Sequence, residues 1–356
     1  MSLFKRSGGE KVLSLDIGSD SIKLLASQGT YPGNISIFDY RLLHINTTGK
    51  GVNPAEIPAI LKSVLPEIKM SVDCVRTIVS GQAAIVRVIE MPEMNKTELK
   101  QSVSYQLGRY IPMRPDDVQF DCTPMQDQNV RKGFQKCLLV VVRRTVIDEL
   151  NKIINACGLS PLLIDVEPIA VTNCYLACSR DFDREQGIPH IEDSAGVCLL
   201  HMGANHTDMI IMRGKVPLVC RALETGTSGM FSTIAETLEI SYVDAVDMMN
   251  EGKEHTEITG HAIHNFAETL VREIRTSLDY CSREYDLKTE RMYITGAPAE
   301  NVLLCQALTI AIDIPVYRFD PFVNIPLSAL ENRIGDFRSK APAFAPVLGM
   351  AIRTLS

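Results

Sequence analysis

Two short glycine turns contain the residue types that are best suited to bind phosphate. Residues 15–23 read LDIGSDSIK and residues 200–208 read LHMGANHTD, and each is a β-rich run, a glycine turn and a returning β-rich run. Such a turn exposes backbone N–H groups, and serine and asparagine side chains add donors. Two facing hairpins of this kind can grip a chain of phosphates. The predicted phosphate-binding residues are Asp16, Gly18, Ser19, Asp20, Ser21, Lys23, Gly203, Ala204, Asn205, His206 and Thr207.

Two further features would complete a nucleotide site. Asp16, just before the first glycine turn, is the candidate to face a metal ion or its waters rather than phosphate. Residues 294–297 read ITGA, a strand that ends in a glycine turn before a helix, which lets backbone pack flat on an adenine. Each element alone is also typical of a plain turn or hairpin. The order of all three, with the hairpins about half the chain apart, makes the prediction more specific.

Alternating strands and helices must position these turns. β-rich runs surround the first turn at 12–17, 22–25 and 75–79, and the second at 197–202 and 208–212. A βα insertion follows the first group, with helices that we predict to be capped by Asn95 and by Thr145. Residues 179–194 carry many charges around a glycine and a proline, and they are predicted to be a linker.

The composition argues against several classes of function. A net charge of −7 argues against nucleic acid as a partner, because that role usually needs a basic surface. The longest apolar runs are too short to cross a bilayer, and residues 1–10 show no secretory signal, so we expect no direct membrane insertion. The ten cysteines form no framework and are predicted to be reduced thiols. No closely spaced set of His and Cys residues indicates a metal site.

The three turns together resemble the actin-like ATPase fold, which hexokinases and heat-shock chaperones share. Within that superfamily the chain is similar to the PilM family of type IV pilus assembly proteins, and it is also close to the FtsA cell-division family. Besides residues 16–23, the segments that carry the resemblance are LGRYIPM at 107–113, ACGLSPLLIDVE at 156–167, REIRTSLDY at 272–280 and DPFVN at 320–324.

The resemblance implies an α/β architecture of the actin-like type, a duplicated ribonuclease H-like fold with two lobes and a cleft. Residues 1–195 are expected to form the first lobe, with a small inserted subdomain at about 81–158. Residues 196–342 are expected to form the second lobe, with an inserted helical subdomain at about 229–288. A C-terminal helix at 343–356 is expected to return to the first lobe.

The resemblance also implies a function and a location. PilM proteins are cytosolic, bind ATP with Mg²⁺ in the central cleft, and lie at the inner face of the cytoplasmic membrane through their partner. They hold the short cytoplasmic N-terminal tail of PilN, an inner-membrane protein, in a groove beside the small subdomain, and other pilus platform components are implied partners. The resemblance assigns no groove residues. The nucleoside-binding residues that it implies are Gly226, Arg272, Thr295, Gly296 and Ala297.

The sequence departs from the family pattern where the chemistry would occur. His201 stands where the second hairpin usually has an aspartate, and a histidine is a poor ligand for a hard cation. Residues 245–249 read AVDMM in place of the usual Ala-Glu-x-x-Lys stretch, and Ala297 and Pro298 follow Gly296 in place of a second glycine. No residue is an obvious base for a hydrolytic water. We therefore expect phosphate binding to persist and hydrolysis to be weak or lost, at most a weak ATPase.

Two other functions of the same fold stay open. A sugar kinase would need a catalytic aspartate, and Asp165 lies at about the right place, although the IDVEP segment at 164–168 also occurs in the adaptor family. A filament former is the other alternative, and nothing in the sequence decides polymerisation. The sequence also leaves open whether ATP is bound or hydrolysed, whether the system is a pilus or a type II secretion system, and the oligomeric state.

Overall fold

The computed structural model describes residues 11–29, 35–45, 52–68, 72, 74–125, 130–250 and 256–353. The tail at 1–10 and the last three residues of the predicted C-terminal helix lie outside the described residues. Across the described part of the chain, no helix is both long and apolar enough to cross a membrane.

The described residues form strands and helices in alternation along the chain. The strands are β1 (Lys11–Ile17), β2 (Ser21–Gln28), β3 (Ser36–His44), β4 (Cys74–Val79), β5 (Ala84–Pro92), β6 (Val118–Pro124), β7 (Phe134–Arg143), β8 (Pro161–Val166), β9 (Gly196–Met202), β10 (Thr207–Arg213), β11 (Val216–Leu223), β12 (Thr289–Thr295) and β13 (Val316–Arg318). The α-helices are α1 (Ile57–Val64), α2 (Lys96–Gln106), α3 (Arg144–Ala156), α4 (Glu167–Gln186), α5 (Ser228–Leu238), α6 (Tyr242–Asn250), α7 (Thr256–Tyr285), α8 (Val302–Ala311), α9 (Ile334–Lys340) and α10 (Ala345–Ile352).

Two five-stranded sheets repeat one topology. The first has the strand order β3-β2-β1-β4-β8 and the second β11-β10-β9-β12-β13. In each sheet the first three strands pair antiparallel, and the next two pairings are parallel. The central strands β1 and β9 are buried almost throughout because both faces of each sheet are covered. This repetition confirms the predicted duplicated α/β fold.

A small antiparallel sheet, ordered β5-β7-β6, is inserted between β4 and β8. It has its own apolar core with α2, whose Leu99 and Val103 are fully buried. Asn95 begins α2 with the predicted capping box, since its side chain accepts from the Glu98 amide and Glu98 accepts from the Asn95 amide. The predicted cap at Thr145 is wrong. Helix α3 begins one residue earlier, at Arg144, without a side-chain cap, so Thr145 lies inside its first turn.

Helix α4 corrects the predicted linker. The helix continues to Gln186 and ends at Gly187, which adopts the left-handed conformation with φ 64°. The physical reason is an apolar stripe, Cys174, Cys178 and Phe182, that continues at helical spacing through the charged sequence. Only the second half of the predicted linker is irregular.

Helices α4 and α10 lie together in a core that both large sheets share. This core contains Leu25 and Ile78 of the first sheet, Leu199 and Tyr293 of the second, and nearly all of α10. A methyl group at Gly349 would lie 1.8 Å from the Ala170 carbonyl oxygen, so the two helices cross with almost no space between their backbones. The Arg76 guanidinium of β4 donates to the last carbonyls of this C-terminal segment, including Met350 O at 2.9 Å and Arg353 O at 2.7 Å.

Candidate functional site

The two predicted glycine turns have the same geometry. The Gly18 amide donates to Ser21 O at 3.0 Å, and the Gly203 amide donates to His206 O at 2.9 Å. A methyl group on either glycine would lie at 3.0 or 2.9 Å from that same carbonyl, which is why both turns use glycine. The structure thus gives the two hairpins matching tips at equivalent places in the two sheets.

The first hairpin presents a buried ion pair. Asp16 and Lys23 are directly opposite each other in the β1–β2 ladder, and their side chains are 2.8 Å apart. Burial opposes the charge on Lys23, but the carboxylates of Asp16, Glu167 and Asp20 outweigh it and raise the Lys23 pKa above its ordinary value. This lysine is therefore a fixed positive charge beside the Gly18 turn.

Glu167 is the centre of the second half of the site, and sequence reasoning missed it. It is the first residue of α4, where the helix dipole favours an acid. Its Oε1 lies 3.3 Å from His201 Nε2 and its Oε2 lies 3.2 Å from His206 Nε2. Burial would raise the pKa of Glu167, but these two imidazoles hold it well below its usual range. The available signal was an acid at the end of a buried strand and directly before the proline that begins a helix.

His201 has both ring nitrogens occupied. Its Nε2 faces Glu167, and its Nδ1 lies 2.8 Å from Thr295 Oγ1. The side chain is almost fully buried. Where the resemblance implies an aspartate, this chain therefore has a side chain that pairs with a carboxylate.

His206 connects the lobes. Its Nε2 lies 3.2 Å from Glu167 Oε2, 3.6 Å from Asp208 Oδ2 and 3.3 Å from Ser80 Oγ. Burial opposes the charge on His206, but the carboxylates of Asp208 and Glu167 raise its pKa to about 10. Burial raises the pKa of Asp208 to about 6. We call Asp16, Lys23, Glu167, His201, His206 and Asp208 the interlobe cluster.

Close backbone contacts surround the interlobe cluster. A methyl group on Gly81 would lie 2.0 Å from Asp208 Oδ1, so this turn packs directly on the carboxylate. Gly226 packs on the second turn in the same way, since a methyl group on it would lie 2.2 Å from Ala204 O. The Ser228 amide donates to that carbonyl at 2.8 Å. The Tyr242 hydroxyl reaches Asp20 Oδ1 across the lobes at 3.4 Å.

The residues implied for the nucleoside lie in three places. The Thr295 hydroxyl hydrogen-bonds the His201 ring. Gly296 has φ 95°, and a methyl group on it would lie 2.0 Å from Met202 O. Ala297 begins the short 3₁₀ turn Ala297–Glu300. Arg272 is exposed on α7, beside Glu273, which hydrogen-bonds Thr225. The structure therefore brings Thr295 and Gly296 to the interlobe cluster, and their part in nucleoside binding stays a prediction.

Several groups of the interlobe cluster that were expected to meet phosphate or Mg²⁺ are paired with other side chains. Lys23 and the Gly18 turn offer a cation and a cradle in which a side chain would not fit. For Mg²⁺, however, Asp16 is held by Lys23, and His201 replaces the second oxygen donor that a hard cation prefers. The kinase candidate Asp165 accepts the Val166 amide at 2.8 Å and pairs with Arg353, which is a structural role.

A separate apolar cavity of about 230 Å³ lies where the small sheet meets α4 and the second lobe. Among the apolar residues that line the cavity, Leu176 of α4 is the most exposed, with 37% of its surface accessible to solvent. The lining residues are Thr123, Met125 and Leu138 of the small sheet and its edge, Ile169, Thr172, Asn173 and Leu176 of α4, and Lys215, Val216 and Pro217 at the start of β11. Anything bound there touches both lobes.

Comparison with known proteins gives one family and one fold. The sequence profile of the family described as "Type IV pilus assembly protein PilM" matches residues 14–355. The solved "PilM-PilN type IV pilus biogenesis complex" is similar, with a TM-score of 0.81 and 23% identity over 96% of this chain and 99% of that one. The ethanolamine utilization protein EutJ from Carboxydothermus hydrogenoformans has a TM-score of 0.53 and 11% identity over 99% of this chain and 91% of that one. No curated protein sequence gives a significant match.

Proposed function

The chain belongs to the PilM family of type IV pilus assembly proteins, and from that membership we propose that it is an actin-like adaptor for a PilN-like inner-membrane protein. It would hold the partner's cytoplasmic N-terminal tail and so lie at the inner face of the cytoplasmic membrane, where other pilus platform components assemble. A similar solved structure contains PilM with PilN, which supports the choice of partner.

The observation that carries the proposal is the apolar cavity beside the small sheet. It is open at Leu176, and its walls come from the inserted sheet, α4 and β11. The side chains of Met125, Leu138 and Ile169 would take the apolar residues of an extended peptide, and Lys215 would favour an acidic one. The neighbouring strand β6 is an edge of the small sheet, so its backbone is placed to pair with such a peptide.

The test is binding of a fluorescent peptide with the cytoplasmic tail sequence of the PilN-like protein from the same organism. We expect Leu176→Asp to weaken binding at least about tenfold, because a carboxylate would be desolvated in the cavity wall. The matched control is Leu303→Asp on α8, a leucine of similar exposure at 40% that lies outside the cavity. Equal loss in both variants, or no binding to the wild type, would contradict the proposal.

We also propose that the interlobe cluster binds the phosphates of ATP with little or no turnover. The support is the intact first hairpin, with its glycine turn beside the buried Lys23–Asp16 pair. We expect loss of turnover because His201, which pairs with Glu167, stands where the second hairpin was expected to have an aspartate.

Calorimetry with Mg-ATP tests this second proposal. We expect saturable binding that Asp16→Asn weakens about tenfold, since Lys23 would lose the charge that orients it. Asp148→Asn on the exposed face of α3 is the control. Phosphate release well above background that Asp16→Asn abolishes would refute the loss of turnover, and absence of binding would refute the nucleotide site.

A further inference from the structure

His206 Nε2 in the interlobe cluster has more oxygen neighbours than one N–H can hydrogen-bond. His206 Nε2 lies within 3.6 Å of oxygens from Glu167, Asp208 and Ser80. A single N–H makes one good hydrogen bond, so it cannot satisfy two carboxylates and a hydroxyl together. Among the described residues, Asp208 Oδ2 is fully buried and has no hydrogen-bond partner. A buried carboxylate oxygen without a donor is costly, and the His206 N–H, 3.6 Å away, is too far to offset that cost with a hydrogen bond.

We propose that Glu167, His206 and Asp208 bind one divalent first-row transition-metal ion, such as Zn²⁺, without any nucleotide. Their ligand atoms lie within 4.8 Å of one another. In a four-coordinate zinc site with bonds of about 2.0–2.2 Å, neighbouring ligand atoms are about 3.3–3.6 Å apart. The separations from His206 Nε2 to the two carboxylates, 3.2 and 3.6 Å, already match that spacing.

Neighbouring groups hold the proposed metal ligands in place through hydrogen bonds. The second oxygen of Glu167 is held by His201, which Thr295 orients through its other nitrogen. The Gly81 amide points to Glu167 Oε2 at 3.4 Å, and the absence of a side chain at Gly81 leaves room for the Asp208 carboxylate. Such outer partners fix ligand orientation in metal sites. With three protein ligands, the fourth position is left for water or an anion.

The donor set selects the class of ion. An imidazole with two carboxylates suits Zn²⁺ and similar ions, whereas Mg²⁺ prefers oxygen ligands alone. The proposed site therefore differs from a nucleotide-bound Mg²⁺ site, and it does not depend on the peptide cavity. Failure of one proposal leaves the others unaffected.

The experiment titrates the chelator-treated full chain with Zn²⁺ alone, and separately with Co²⁺ and Mg²⁺, by calorimetry. We expect one Zn²⁺ per chain, and a loss of affinity of more than about 100-fold in both His206→Ala and Asp208→Asn. His264→Ala is the matched control, because that histidine is exposed on α7 beside Glu268 and should bind no buried ion. Absence of saturable binding, equal loss in the control, or Mg²⁺ binding as tight as Zn²⁺ would overturn the proposal.

A measurement on the wild type guards against variants that fail to fold. Co²⁺ in a four-coordinate protein site has intense visible absorption, whereas six-coordinate Co²⁺ on a surface absorbs weakly. We expect the intense spectrum at one equivalent and its removal by Zn²⁺. A weak spectrum at one equivalent would contradict direct ligation by the three residues.

Discussion

His201 avoids a second buried carboxylate beside Glu167. Glu167 lies 3.3 Å from its ring, and an aspartate at the same position would place two carboxylates side by side in a buried site. Two such charges repel unless a cation lies between them. The histidine removes that requirement and ties the end of β9 to the start of α4.

We therefore expect His201→Asp to lower the free energy of unfolding by about 3 kcal/mol without metal, as when one partner of a buried pair is removed. Added Mg²⁺ should return part of this loss to the variant and not to the wild type. Urea unfolding with and without Mg²⁺ measures both. His201→Gln, which keeps a donor and gains no charge, is the control, and an equal response to Mg²⁺ in both variants would contradict the explanation.

Glu300 predicts how stability depends on pH. Burial raises the pKa of Glu300 from its ordinary 4.5 to about 7, and within the described part of the chain one of its oxygens is buried without a hydrogen-bond partner. Between these two values the folded state keeps a proton that the unfolded state has lost, so stability falls as the pH rises from about 4.5 to about 7. Glu300→Gln should flatten this part of the profile. Urea unfolding at several pH values measures this dependence, and Glu236→Gln, at an exposed position of α5, is the control. An unchanged slope in Glu300→Gln would contradict the assignment of this pH dependence to Glu300.

The conformation of the two glycine turns was predictable from single residues, but the contacts of Glu167 with the second hairpin were not. Gly18 and Gly203 follow from local turn requirements, and both have the predicted conformation. Glu167 is 34 or more positions from its histidines, so no local pattern indicates the contact. Its segment looked structural because a strand, an acid and a proline are also what a plain helix start requires.

At the level of single elements, the two predicted helix caps make a controlled comparison. Asn95 accepts from both the Thr97 and Glu98 amides at 3.0 Å, whereas Thr145 lies within α3 and caps nothing. We expect Asn95→Ala to cost about 1 kcal/mol and Thr145→Ala to cost close to nothing. Urea unfolding measures both, and equal costs would show that the capping box does not matter. The sequence motif alone could not separate them, because the polypeptide before Thr145 is already committed to strand β7 up to Arg143.

The crossing of α4 and α10 gives a second comparison between elements. Gly349→Ala should destabilise the protein by about 3 kcal/mol or more, because its methyl group would overlap the Ala170 carbonyl of α4. A methyl group at Gly335 on α9 would meet none of the described residues within 4 Å, so Gly335→Ala should be neutral or stabilising by up to about 1 kcal/mol. Thermal unfolding of both variants measures the contrast. A similar melting temperature for the two would show that the helices can separate without cost.

At the scale of the whole molecule, the shared core makes the two sheets interdependent. Helices α4 and α10 contact apolar residues of the first sheet on one side, such as Leu25, and of the second sheet on the other, such as Leu199. The repeat in the sequence predicted two similar halves. It could not show that the C-terminal segment closes the core between them, since that depends on contacts about 150 residues or more apart in sequence.

The shared core predicts that the two large sheets unfold together as one cooperative unit. Leu348 of α10 is fully buried in the shared core, so Leu348→Ala should cost about 3 kcal/mol. Because both sheets lose packing, the amide protection of β1 and of β9 should fall together in hydrogen exchange. Leu99→Ala is the contrasting variant, since Leu99 belongs to the small sheet's own core and its loss should expose that sheet first. If Leu348→Ala lowered the protection of β1 alone, the two large sheets would unfold separately.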